Sequence, residues 1–399
     1  FAMALRDATS WDTSALVGPN VFLAAPKQKE LAEALRELAS ISTVEQYEGK
    51  KQDWRSILET ELNKAAEITE EYPSLKGREL EQAVVGTFLH SQPIGQRASI
   101  RDLQVRVGPS RPDNIYLNKA LIMWATVSWF LDEGEMGEAL SRSELPSAWR
   151  LGSRPNLKQM HSEFLRRIPD ELVDSFTVAA IQKDKNLTAN AKGAGAYVHV
   201  LPSRPGEVDD NGEFRFVILG PKAASTSGNP SAEAKRFIEE TSSPDKPRVY
   251  RNAVVIAVPS REGLEALRSK VRDHLAWLEV GERLKAQEID PIRSELLSNF
   301  VSRSKEAIPE TTQQAYSIVI TVSKENAVEA WKLAAGGEPL FNLIKKDKRS
   351  RIEDTAINAE ALLPGGPYDL WREGEKSHRL KDLVLAFSQR PQLPKMLNT

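Results

Sequence analysis

The 399-residue chain has no cysteine. That absence excludes disulfide staples, thiolate zinc sites, iron–sulfur clusters and a cysteine nucleophile, and it agrees with a reducing compartment. An excess of one charge is also missing: 54 Lys and Arg stand against 56 Asp and Glu, a net charge of -2. Nothing global therefore draws the protein to nucleic acid or an anionic membrane. No apolar stretch approaches the roughly 20 residues needed to span a bilayer, and Phe1-Ala2-Met3-Ala4 lacks the basic-then-apolar pattern of a signal peptide. The expectation is a soluble, cytoplasmic protein, and the unusual start suggests a piece of something longer.

Phosphate-binding loops are lacking as well. A P-loop needs Gly, four residues, then Gly-Lys-Ser/Thr, because consecutive backbone N–H groups must wrap the phosphates while the lysine reaches them. Here the Gly-Lys dipeptide is Gly49-Lys50, with Lys51 after it and Val44 where the first glycine should stand. Gly193 and Gly195 lack the third glycine of a dinucleotide fingerprint and precede a strand where the fingerprint should follow one. No Gly-x-Ser-x-Gly elbow occurs, and His90, His161, His199, His274 and His378 fall in no compact metal-ligand spacing.

What is present is 40% apolar and 28% charged residues, ordinary for a globular chain long enough for two or three domains. After an apolar, strand-like Val21–Ala25, helical spacing predicts helices over 27–40 and 54–72. Further helix patterns run over 78–90, from Ser99 through Leu103, from an Asn114 cap to about Leu131, and over 156–167, with a short strand at 148–152. Three helices followed by a short hairpin is a winged-helix-like pattern. Strands are expected at 197–201, 214–219 and 252–258, alternating with helices at 230–240 and 261–278, and a loop turns at Asn211-Gly212. The last two strands are almost continuously apolar, as strands covered on both faces are. Beyond Leu284 follow a helix through Ala307, a strand at 316–322, a helix at 327–335 and a terminal segment.

The expected fold is mixed α and β and helix-rich. It comprises a helical N-terminal part at 1–76, a winged-helix-like module at 77–190, a small α/β module with a mostly parallel sheet at 191–285, and an α+β, largely helical C-terminal segment at 286–399.

Three stretches carry chemical suggestions. Val127 through Asp132-Glu133 has the outline of an apolar strand ending in a magnesium-holding acidic pair, but the helical spacing of Leu117, Leu121 and Trp124 makes it a helix terminus. Arg97, Arg101, Arg106 and Lys119, with Arg150, Arg154 and Lys158 at the wing and beyond it, are the candidate nucleic-acid contacts. Residues 91–170 hold 11 basic and 9 acidic side chains, a net of +2, too small to demand nucleic acid; a solvated face is the favoured reading and a phosphate-contacting one the alternative. A second basic run, Lys345–Arg351, lacks interleaved aromatics for base stacking and reads as a solvated helix end. Pro259-Ser260-Arg261 sits where open α/β sheets bind ligands, without an identifiable acid–base or nucleophile pair.

Four motifs together carry a resemblance. They are Ala148-Trp149-Arg150-Leu151 leading to Arg154-Pro155-Asn156-Leu157-Lys158; Arg251-Asn252 through Pro259-Ser260 followed by His274-Leu275-Ala276-Trp277; Leu362-Leu363-Pro364 with Trp371; and Leu383 to Leu397 with Phe387 and Pro391-Gln392-Leu393-Pro394. In that order they resemble the downstream region of large, poorly characterised bacterial and archaeal AAA-type P-loop ATPases encoded beside DNA-modification or phage-defence genes. The resemblance implies a non-catalytic regulatory or interaction region. ATP and magnesium would belong to an upstream domain, with no cofactor within this chain. The implied partners are that ATPase domain or other subunits of the same system, and DNA, with no membrane. The alternative is a nucleic-acid-binding module acting through its winged helix.

Overall fold

A computed structural model of the chain describes residues 1–399 apart from 13, 15, 27, 29, 42–45, 48, 49, 52, 92–95, 133–143, 153, 154, 286–290, 335, 356, 372, 373, 376, 398 and 399. Lys27, Glu133, Arg154 and Ala335 therefore lie outside the described residues. The chain forms two compact units, Phe1–Arg167 with Ala276–Phe300, and Ile168–Leu275 with Val301–Thr399. The whole is mixed α and β and helix-rich. No described helix is long and apolar enough to cross a membrane.

The first unit is built on helices α1 (Ala2–Ala8), α2 (Glu33–Ile41), α3 (Trp54–Glu70), α4 (Glu79–Ser91), α5 (Ile100–Val107), α6 (Asn114–Val127) and α7 (Leu157–Leu165). Short strand pairs β1 (Gln46–Tyr47) with β2 (Lys50–Lys51), and β3 (Ala98–Ser99) with β4 (Ala148–Trp149), complete it. Its core gathers Leu35, Ile57, Leu58, Leu80, Val84, Phe88, Leu121, Trp124 and Trp149, all buried. The apolar run expected as a strand at Val21 is instead a 3-10 turn, Pro19–Phe22, because Pro19 at its first position fixes a helical φ.

The second unit is a three-layer sandwich. Its sheet has the order β5 (Tyr197–Val200), β6 (Arg215–Ile218), β7 (Val254–Val258), β8 (Ile318–Val322), β9 (Val328–Lys332). β5, β6 and β7 pair in parallel, and β8 and β9 each pair antiparallel with the strand before. The sheet is therefore mixed: the three strands within the expected 191–285 module are parallel, and two antiparallel strands from 318–332 extend it.

One sheet face packs Phe216, Val255, Ala257 and Val319 beneath α8 (Asp170–Lys183), α10 (Arg261–Lys285) and α12 (Leu340–Lys346). The other packs Val217, Val254, Ile256 and Ile320 against α9 (Ala232–Glu239) through Phe237 and Ile238. Cover on both faces is the physical reason these strands are apolar at every position. α10 and α11 (Pro291–Ala315) each supply residues to both units.

Residues 327–335, expected as a helix, contain strand β9. Ser323 N–H bonds Ala327 O at the turn, and Trp331 and Ala330 fall opposite Val319 and Ile320 of β8.

The C-terminal segment adds α13 (Leu380–Gln389) and the parallel pair β10 (Ile352–Glu353) with β11 (Lys395–Met396). It is tied to the sheet unit through Asn252, which is fully buried. The Asn252 amide donates to Phe387 O (2.7 Å) and Leu393 O (3.1 Å), while its oxygen accepts from Arg351 (3.2 Å) and Lys395 (3.0 Å). Burial pushes the Lys395 ammonium well below its ordinary range.

Candidate nucleic-acid or partner interface

Among the described residues the first unit has, in chain order, α4, β3, α5, α6, Leu131, β4 and Leu151, with Leu131 and Leu151 in an isolated antiparallel bridge; the residues at 133–143 between them lie outside the description. Residues 148–151 form the middle of this small sheet, pairing with β3 on one side and with Leu131 on the other. Asp132 N–H donates to Arg150 O and Gly152 N–H to Phe130 O at the base of the wing.

Local sequence explains each helix. Ser99 and Asp102 form a reciprocal capping box at the start of α5, and Asp113 accepts from the N–H groups of Ile115 and Tyr116 at the start of α6. The α6 cap is thus Asp113, one residue before the expected Asn114. Leu117, Ala120, Leu121, Trp124 and Ala125 recur at i, i+3, i+4, i+7 and i+8 and are buried, with Trp124 stacked on Trp149 at 5.4 Å.

The expected continuation of α6 to Leu131 does not occur, because the fully buried Glu61 of α3 captures the chain after Val127. One carboxylate oxygen accepts from Trp129 N–H (2.8 Å) and Phe130 N–H (3.1 Å), and the other accepts from the Trp124 indole (2.7 Å). Lys64, one helical turn further on, donates to Val127 O at 2.9 Å and lies 3.8 Å from the Trp129 ring centre. Its desolvation brings the ammonium down to about 8, against the raising effect of Glu61.

The candidate contacts divide into two kinds. Arg97 before β3, Arg101 and Arg106 on α5, and Lys119 on α6 are exposed. Arg150 is half-buried at the wing base, 3.8 Å from Asp132. Lys158 reaches the far end of α6, where it donates to Thr126 O at 2.7 Å. Lys119 and Thr126 are seven residues apart, roughly 10 Å along the helix. Lys158 thus caps a helix C-terminus, and Arg154 lies outside the described residues.

Between the exposed cations lie apolar side chains that sequence reasoning passed over. Val105 on α5 is 68% exposed, and Ile115 and Tyr116 on α6 are 67% and 42% exposed. Gln104 donates to Asn118 and fastens the two helices together. The signal was available: with 117, 120, 121 and 124 inward, 115 and 119 must face outward.

The other expected positions are structural. Ser260 Oγ accepts from Gly263 N–H, Ser260 N–H donates to Ala315 O, and Arg261 N–H donates to Ser225 O, so this strand end is tied up in loop and helix contacts. Lys345, Lys346 and Arg349 pair with Asp354, Glu338 and Asp347. Among the described residues no group of three or more His, Asp or Glu side chains is placed to hold a metal ion. Comparison with family models, curated proteins and solved structures gives no match for this chain.

Proposed function

We propose that this chain is a non-catalytic interaction region of an AAA-type ATPase system, and that the outer face of its winged helix is a protein-docking surface. The observation that carries the reading is the make-up of that face. On α5 the exposed Val105 lies four residues from Arg101 and one from Arg106, and on α6 the exposed Ile115 and Tyr116 lie within one turn of Lys119, whose ammonium is 5.6 Å from the Tyr116 ring centre, so both helices carry exposed apolar side chains among cations. Protein interfaces place such anchors at their centres, while surfaces that neutralise a phosphate backbone are denser in cations. The missing phosphate loop and the ordered resemblance to ATPase downstream regions supply the biological setting. In that setting the chain modulates an ATPase core and contributes no turnover itself.

The test is to add this chain to the P-loop core of such an ATPase and measure phosphate release. Turnover should change on addition, and Ile115→Asp with Tyr116→Asp should remove the change while leaving the circular dichroism intact. Turnover that ignores the chain counts against the reading.

The winged-helix order itself favours the second reading, nucleic-acid binding through α6 and the wing. Under it, duplex affinity falls steeply with salt and weakens on charge reversal of Arg101, Arg106 and Arg150.

A further inference from the structure

At one side of the five-stranded sheet β5 has no outer neighbour among the described residues. Its ladder to β6 uses alternate residues: Tyr197 N–H donates to Phe214 O and Leu201 N–H to Ile218 O. The backbone N–H and C=O groups of Val198 and Val200 therefore face outward, and neither residue has a backbone partner there.

Monomeric proteins blunt such an edge with a short strand, lysine, proline or a bulge, and here the device is shortness alone: β5 has four residues and Pro202 follows two positions after it. Within Tyr197-Val198-His199-Val200 there is no lysine, proline or bulge, and Tyr197 and Val200 are 51% and 41% exposed. The strand ends where Leu201 turns into the left-handed region (φ 52) before Pro202. A cleft of about 800 Å³ wraps the edge, touching Val198 on one sheet face and Tyr197, His199 and Arg215 on the other. Arg215 lies over the Tyr197 ring at 4.5 Å and pairs with Glu213 (2.7 Å) and Asp209 (3.6 Å), and with Lys192 the cleft lining carries two charges of each sign.

We propose that a second copy of this chain covers this edge, β5 pairing antiparallel with its counterpart about a two-fold axis at His199. The pattern of open groups is its own complement. With His199 on the axis, Val198 of each copy faces Val200 of the other, and four N–H···O=C bonds use all eight outward groups. A two-fold axis sets like against like, which a charged strand would resist. Here the opposed side chains are valines and two imidazoles, and burial, followed by the Arg215 charge, keeps His199 below its ordinary value and hence neutral at pH 7. The cleft beside the edge gives the incoming strand's side chains room.

Sedimentation equilibrium from about 1 μM to about 100 μM spans the affinity expected of so short a strand pairing. The weight-average mass should climb above 44.4 kDa with concentration. Val198→Pro removes an outward N–H without touching the ladder to β6, and Val200→Lys brings a charge against an opposing valine. Each should weaken association at least about tenfold while circular dichroism is unchanged. In the unaltered chain, amide exchange at Val198 and Val200 should slow as concentration rises. A mass of 44.4 kDa throughout overturns the proposal. So does a dimer whose Val198 and Val200 amides exchange equally fast at both ends of the range, or one indifferent to both variants. Should Val198→Pro fail to fold, Val200→Lys and the exchange measurement decide.

Discussion

Glu61→Gln is the sharpest probe of this helical module, because one buried carboxylate both ends α6 and fixes the turn of the chain at Trp129 and Phe130. The glutamine oxygen can still accept from Trp129 and Phe130, but its NH₂ then meets the Trp124 indole N–H, donor against donor. A hydrogen bond to a charged group contributes roughly 1.5–3 kcal/mol, and a buried donor left without an acceptor costs about 1–3 kcal/mol. The substitution should therefore destabilise the first unit by about 3 kcal/mol, a large share of the roughly 5–15 kcal/mol typical of a domain.

Hydrogen exchange at core amides such as Leu58 and Leu121, read under conditions where global opening dominates, should show protection falling on the order of 100-fold. Trp124→Phe removes the indole donor, so a Glu61→Gln, Trp124→Phe double variant should recover about 1–2 kcal/mol relative to additivity. A loss below about 1 kcal/mol in Glu61→Gln, with no coupling to Trp124, would refute the claim that this carboxylate terminates α6.

Other perturbations have equally definite outcomes. Asn252→Ala removes four hydrogen bonds, three of them buried, that join the approach to β7 to Arg351, α13 and the segment leading into β11, and should cost about 3 kcal/mol or more in urea unfolding of the second unit; a midpoint within error of the parent contradicts this. Lys64 has a folded value of about 8, below its ordinary 10.5. Between those values the unfolded chain holds a proton that the folded chain has released, so stability rises with pH across that window. Relative to Lys64→Met, the parent should gain stability from about pH 8 to 10.5 and show no such gain below it; a flat difference across the window contradicts the assignment. Lys158→Met should weaken the C-terminal cap of α6 by about 0.5–1.5 kcal/mol, and in a nucleic-acid titration it should change affinity less than Arg101→Glu does.

Where two neighbours enforce a pattern, the sequence displays it. β6, β7 and β8 are legible because helices or loops cover both their faces, leaving continuous apolar runs. β9 is less so: Val328-Glu329-Ala330-Trp331-Lys332 suits a helix as well as a strand, and only pairing with β8 decides it. The end of α6 depends on a carboxylate more than sixty residues earlier in the chain, which periodicity cannot register. α8 escaped notice because it buries only the narrow stripe Val173, Thr177 and Ile181.

For the candidate site, the exposure of Arg101, Arg106 and Lys119 follows from helical phase, whereas the engagement of Lys158 with Thr126 and of Arg150 with Asp132 follows from tertiary placement. The open margin at β5 depends on strand order, which no local pattern encodes.

The sequence lacks a Gly-x4-Gly-Lys-Ser/Thr loop, and we propose that the chain acts through its surfaces. Calorimetric titration of the protein with ATP and magnesium, with phosphate release measured in the same samples, tests this most directly. Neither saturable heat nor phosphate release should appear. Micromolar, saturable binding accompanied by turnover that purifies with the chain would contradict the proposal.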